Sequence, residues 1–180
     1  MISDENLYER FWNGEPKVAD ELVHRHGDIL ILFIDGYLRD IHESEDMMIE
    51  AFAQMFAKKR PISGEGSFRA YLYKTARNLA ARARRKHRFH IGIEELPFEI
   101  QSEALAETHL FENERNRQLY EALDQLKPEY QEALYLVYFE DMSYRDAAHI
   151  MKKSESQVTN LVHRGKQSLK KILGKDGFEY

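Results

Sequence analysis

Cysteine is absent from this 180-residue chain, which excludes disulfides, thiolate catalysis and cysteine-based zinc sites. Proline and glycine are scarce, at four and nine residues, so few positions interrupt regular structure. No run of about 18 apolar residues occurs, and the first ten residues, MISDENLYER, are polar and acidic. Neither a spanning helix nor a secretory signal is expected, and a soluble intracellular protein is. Also missing are HExxH, GxSxG and a GxxxxGK loop followed by Ser or Thr. His24 and His26 are two apart and diverge by about 200° on a helix. His87 and His90 find no third ligand nearby. No enzyme, metal site or cofactor is expected.

What is present points to helices. Apolar residues make up 43% of the chain and recur at three and four rather than at two, so an all-α protein is predicted. The net charge of −5 hides a sharp partition. Residues 1–57 carry −9, residues 58–90 carry +10, residues 91–126 carry −7 and residues 127–180 carry +1. So basic a block between two acidic ones is a local footprint for a polyanion.

The most structured stretch is Ser143–Lys171. Ser143 with Asp146, and Ser154 with Gln157, form two capping-box signatures whose starts lie eleven residues apart. That spacing fits two helices joined by a tight corner, a helix-turn-helix. On the second helix Val158, Leu161, Val162, Gly165, Leu169, Ile172 and Leu173 share one side. Ser156, Thr159, Asn160, His163, Gln167 and Lys170 share the other, with Arg164 and Lys171 at its margin. Such side chains donate and accept hydrogen bonds at base edges, flanked by cations for phosphates. A surface helix of an ordinary bundle carries the same apolar pattern, so the segment suggests DNA without requiring it. The corner, Lys152-Lys153, lacks glycine; another residue must take the left-handed conformation, or the two lysines contact phosphates.

Upstream, a short helix over residues 4–13 carries Leu7, Tyr8, Phe11 and Trp12, with Trp12 as a core anchor, and ends at Asn13-Gly14. A long helix follows, with Pro16 in its first turn and Val18, Leu22, Val23, Ile29, Leu30, Phe33, Ile34, Tyr37 and Leu38 as its inner stripe. His24 and His26 are assigned to the surface. A third helix is placed from about Ser44 to Lys59, with an acidic shoulder of Asp46 and Glu50. The loop 58–67 leads to a helix capped by Ser67 and running to about Phe89, with Phe68, Tyr71, Leu72, Thr75, Leu79 and Ala83 inward. Tyr73, Arg77, Arg84 and Arg88 then line up outward, with Lys74 and Arg85 at the edge. Cations interleaved with an aromatic suit melted or single-stranded nucleic acid; a solvated basic face and an anionic-membrane contact are the alternatives. A second bundle is expected from a helix over residues 106–125, carrying Leu110, Phe111, Leu119, Leu123 and Leu126. Pro128 starts the next helix, with Tyr130, Ala133, Leu134, Val137 and Tyr138 on its apolar side.

Taken whole, the chain resembles the extracytoplasmic-function (ECF) group of the bacterial sigma-70 family of RNA polymerase sigma factors. The resemblance is carried by Glu45–Phe52 (EDMMIEAF), Gly66–Ala80 (GSFRAYLYKTARNLA), Leu126–Leu134 (LKPEYQEAL), Met142–Ala148 (MSYRDAA) and His163-Arg164. It implies two small helical bundles joined by a flexible linker, the second containing the helix-turn-helix. Region 2 would span 1–90, the linker 91–109 and region 4 110–175. It implies core RNA polymerase as partner, through its largest-subunit clamp helices and flap, together with promoter DNA and an anti-sigma factor, in the cytoplasm and with no membrane insertion. Asp46, Glu50 and Phe52 would then bind polymerase. Arg60, Ser63 and Ser67 would fall on the loop that captures a −10 base, and Arg69, Tyr73, Lys74, Arg77 and Asn78 on the helix beneath the melted strand. Lys152, Lys153, Ser156, Gln157, Thr159, Asn160, His163, Arg164 and Lys166 would serve the −35 element. Ile49 departs from the glutamine many relatives place there. A stand-alone helix-turn-helix regulator that binds duplex without polymerase is the alternative.

Overall fold

A computed structural model describes residues 2–57, 67–91 and 114–175, and among these every regular element is helical. The chain divides into two compact units, residues 1–94 and 95–180.

The first unit has four helices. Helix α1 (Asp4–Trp12) starts where Ser3 Oγ accepts from Asn6 N at 3.2 Å, with Asp4 and Glu5 in the favourable first turn of the dipole. It ends at Asn13, and Gly14 takes φ +97°. Helix α2 spans Val18–Leu38. Pro16 lies in the turn ahead of it, its carbonyl accepting from Ala19 N at 3.1 Å, rather than in the first helical turn. Arg39 at φ 54° turns the corner into α3 (Ile41–Phe56). That helix begins three residues before the predicted Ser44, because Asp40 already caps it by accepting from Glu43 N at 3.0 Å. Ser44 is instead buried, its hydroxyl donating to the Asp40 carbonyl at 2.8 Å. Helix α4 (Phe68–Ile91) is capped by Ser67, whose Oγ accepts from Ala70 N at 3.1 Å.

The core of this unit joins Leu22, Leu30, Phe33 and Ile34 of α2 to Ala51, Phe52 and Met55 of α3. Phe68, Leu72, Tyr73 and Ala76 of α4 and Leu7 and Tyr8 of α1 close it. On α2, two inward and outward assignments change. Ile29, predicted inside, is 38% exposed. His26, predicted on the surface, is mostly covered: its Nε2 lies 2.8 Å from Asp4 Oδ2 and its ring 6.0 Å from that of Phe68. Trp12 is half-buried, edge-on to Tyr8 and Phe11.

One carboxyl is buried among these helices. Asp35 is 3% exposed, 3.5 Å from Ser44 Oγ, and burial pushes its carboxyl above the usual carboxylate value. A carboxylate whose folded value is raised destabilises the fold above that value, and the penalty fades as pH falls and the folded form takes up its proton. Asp35→Asn keeps the size and polarity of the side chain and removes its charge. It is expected to melt at a higher temperature than the parent at pH 7, with the gap closing as pH is lowered toward 4 in parallel thermal scans.

In the second unit, α5 (Glu114–Asp124) buries Ala122 and Leu123, and Leu126 follows. Residues 106–113, with Leu110 and Phe111, lie outside the described part. Helix α6 (Pro128–Leu134) carries Pro128 in its first turn, as predicted. Buried Gln131 donates through Nε2 to the carbonyls of Asp124 and Leu126, both at 3.1 Å, so the end of α5 is satisfied by a side chain. Helix α6 then widens into a π turn over Tyr135–Phe139, closed by Glu140 N donating to Tyr135 O at 3.1 Å. The extra residue breaks the α-helical register. Tyr138, predicted on the apolar side, is consequently 53% exposed. Helices α7 (Tyr144–Met151) and α8 (Glu155–Lys175) complete the unit. Gly165 of α8 packs against α6 so closely that a Cβ would stand 3.1 Å from Leu134 Cδ1 and 3.2 Å from Tyr130 Cβ.

Candidate nucleic-acid interface

The helix-turn-helix is built by local chemistry. Ser143 Oγ accepts from Asp146 N at 3.1 Å and donates to Asp146 Oδ2 at 2.8 Å, starting α7. Ser154 and Gln157 form a full reciprocal box: Gln157 N donates to Ser154 Oγ at 3.2 Å, and Ser154 N to Gln157 Oε1 at 2.8 Å. Between them Lys152 takes the left-handed conformation, φ 56° and ψ 44°, where glycine would be unstrained. Lysine there costs about 1–2 kcal/mol, less the greater unfolded freedom of glycine. Lys152→Gly is therefore expected to raise the unfolding free energy by about 0.5–1 kcal/mol, read in a urea titration. If the exposed Lys152 side chain contacts a phosphate, the same variant lowers the salt slope of duplex binding by about 0.9.

Helix α8 presents the predicted polar face. Val158, Val162 and Leu173 are buried, while Ser156, Gln157, Thr159, Asn160, His163, Arg164, Lys166, Gln167 and Lys170 are all exposed. Several are held in place. Gln167 Nε2 lies 3.0 Å from His163 Nε2, and Thr159 Oγ1 donates to Glu155 O at 2.9 Å. Lys166 Nζ donates to Tyr138 Oη at 3.1 Å and sits 5.1 Å from that ring's centre. Lys153, by contrast, donates to Glu129 Oε1 at 2.7 Å, an exposed ion pair that ties it to the start of α6.

Helix α4 changes the predicted strand-binding face. Tyr73 is fully buried, its ring 4.9 Å from that of Phe33, and cannot stack on a base in this structure. Arg77 is half-buried, its Nε donating to Tyr37 Oη at 3.2 Å and its guanidinium 5.9 Å from the Tyr37 ring centre. Arg69 and Arg84 are likewise half-buried. The buried arc runs through Phe68, Leu72, Tyr73, Ala76, Leu79 and Ala80, so the alanines belong inside. The side opposite that arc, about 100° round from the predicted face, carries Tyr71, Lys74, Asn78, Arg82 and Arg85, half-exposed or exposed. Cations and an aromatic still share a face there, with Tyr71 in the place assigned to Tyr73. Counting Ala76 and Ala80 as core would have located this face from the sequence. Arg60 and Ser63 lie outside the described residues, as does the side chain of Arg88; Ser67 is half-exposed and caps α4.

On α3, Asp46 and Glu50 are exposed, and Glu50 Oε1 accepts from Gln54 Nε2 at 2.8 Å. Phe52 is 3% exposed and packs into the core, so it supports the acidic shoulder without being part of its surface. Ile49, between the two acids, is 61% exposed. Among the described residues no group of His, Asp and Glu could hold a metal, and no helix is long and apolar enough to cross a membrane.

Comparison with known proteins gives each unit a match. The Sigma-70 region 2 family covers residues 22–90, and Sigma-70, region 4 covers residues 116–169. The RNA polymerase sigma-H factor of Pseudomonas aeruginosa is 27% identical over 94% of this chain and 93% of its own length. The ECF RNA polymerase sigma factor SigM of Bacillus subtilis is 24% identical over 87% of this chain and 95% of its own. Among solved structures, the sigma factor RpoE of Bartonella quintana, crystallised with the anti-sigma factor NepR, shares the fold at TM-score 0.64 and 18% identity, covering 86% of this chain and 96% of that one. CnrH, solved with the cytosolic domain of CnrY, does so at 0.61 and 20% identity, over 97% of this chain and 99% of that one. With both conserved regions of one family in order along the chain, and relatives of that family aligned across nearly all of it, the chain belongs to the ECF group of the sigma-70 family and is an alternative sigma factor that directs promoter-specific transcription.

Proposed function

We propose that the two units divide promoter recognition between closed and opened DNA. The observation that carries this reading is the pair of dissimilar exposed faces. One is the hydrogen-bonding face of α8, the other the cationic and aromatic face of α4. Ser156, Thr159, Asn160, His163 and Gln167 would meet base edges of the −35 duplex, with Lys152, Arg164 and Lys170 on phosphates. Tyr71, Lys74, Asn78, Arg82 and Arg85 would support the melted −10 strand, fed by segment 58–67 with Arg60 and Ser63. Asp46 and Glu50 would dock on the polymerase clamp. The functional boundaries proposed are 1–90, 91–109 and 110–175.

No covalent step is assigned to this chain, which supplies address and strand opening in the cytoplasm while polymerase supplies the chemistry. Extruding a base costs a few kcal/mol, to be offset by stacking and charge on the first unit. An anti-sigma factor is proposed as a further partner, by analogy with the RpoE relative crystallised with NepR. The test is in vitro transcription from a genomic promoter pool by core polymerase, with and without the protein. Transcripts starting at a discrete promoter set only when it is added support the reading. Tight duplex binding by the chain alone, with no promoter-dependent transcript, would point to a stand-alone regulator instead.

A further inference from the structure

Lys166, at the margin of the α8 polar face, is held by an element that lies outside the helix-turn-helix. Its Nζ donates to Tyr138 Oη at 3.1 Å and stands 5.1 Å from the centre of that ring. Among the described residues no carboxylate pairs with this lysine, whereas Lys153 is tied to Glu129 Oε1 at 2.7 Å. The bond to Tyr138 raises the lysine above its ordinary value, so the ammonium keeps its charge. Tyr144, the first residue of α7, borders the same spot; burial first, and Tyr138 next, push its phenol up. The carrier of Tyr138 is firmly closed. Buried Tyr135 and Phe139 stack at 5.7 Å within the π turn. Glu140 N donates to Tyr135 O at 3.1 Å and Met142 N to Leu136 O at 3.0 Å. The widened register leaves Tyr138 53% exposed, and turns of this kind recur at functional sites.

We propose that Tyr138 is a positioning residue for −35 binding: carried to the surface by the π turn, it fixes the Lys166 ammonium on a backbone phosphate of the duplex. The proposal rests on the reading of α8 as the −35 face. A lysine alone is a loose phosphate ligand, a point charge on a flexible stem with three rotatable donors. One N–H given to a phenol settles the stem and leaves the other two for a ligand. Tyr138 Oη, while accepting from Lys166, still has its own hydrogen to donate. Donors around one uncompensated positive charge match the oxygens of a phosphodiester. The π turn in this account does not read sequence; it sets where the duplex backbone is gripped.

The test uses the full chain bound to core polymerase, on a short duplex carrying the −35 element of a promoter found in the transcription assay above. Affinity is measured over a range of KCl concentrations, at a temperature where circular dichroism shows every variant folded. Lys166→Ala is expected to lower the salt slope by about 0.9, one phosphate. Its loss of affinity should be the same factor on that duplex and on one with a −35 base substituted. Tyr138→Phe keeps the ring and removes the acceptor, and is expected to weaken binding about fivefold, the weight of one hydrogen bond. In a Lys166→Ala background the same change should have no further effect, because the pair acts as one unit. A Tyr138 with a purely structural role lowers affinity by the same factor in both backgrounds, and that result overturns the proposal. Parental affinity of Tyr138→Phe, a parental salt slope of Lys166→Ala, or a loss that depends on the substituted base overturns it too. If Asn160→Ala and Arg164→Ala also bind as the parent does, the −35 reading of α8 fails and the proposal falls with it.

Discussion

Tyr73→Ala is expected to cost the first helical unit about 3–5 kcal/mol, as for other large aromatics removed from a packed core. The ring is fully buried against Phe33, in the middle of the layer formed by α2 and α4. Loss of that size is a large share of the whole stability of a small domain, so the variant should show a much earlier urea midpoint or no cooperative transition. Tyr73→Phe keeps the ring in the core and is expected to cost far less than the alanine variant. A base-stacking Tyr73 makes the opposite forecast: the alanine variant would fold normally and fail only on melted DNA. Chemical unfolding followed by circular dichroism separates the two.

Tyr71→Ala should behave in the reverse manner. Its ring stands on the outward side of α4 with Lys74, Asn78, Arg82 and Arg85, and its removal leaves the buried arc intact. Unfolding free energy is expected to change by less than about 0.5 kcal/mol. Binding of holoenzyme to a promoter with a pre-melted −10 region should weaken by about 1–3 kcal/mol, one stacked base. Tyr71→Phe should retain most of the affinity. Equal affinity of the alanine variant and the parent on that probe would remove Tyr71 from the strand-binding face.

The contrast between these tyrosines marks where the sequence was legible. The helix-turn-helix could be read to the residue because capping boxes are local: Ser143 with Asp146, and Ser154 with Gln157, act within one turn. The face of α8 was also legible, since Val158 and Val162 are large enough to dominate its period. On α4 the buried arc includes Ala76 and Ala80, which weigh little in an apolar pattern, and the expected face came out rotated by one residue. Tertiary context decided the remaining cases. Helix α3 starts ahead of the expected Ser44, because Asp40 upstream accepts from Glu43 N while Ser44 turns inward. His26 looked like surface until Asp4 and Phe68 arrived from other helices. A π turn has no local signature comparable to a capping box, so Tyr138 could not be oriented in advance.

That wide turn has a geometric consequence for promoter reading. Each residue of a regular helix advances the azimuth by about 100°, so one added residue over Tyr135–Phe139 re-phases the chain as it leaves for the corner at Glu140-Asp141-Met142. Met142 N then donates to Leu136 O at 3.0 Å, locking the altered phase just before Ser143 begins α7. The bearing of α8 within the second unit is thus inherited from a single surplus peptide unit laid down before the corner, ahead of both helices of the helix-turn-helix.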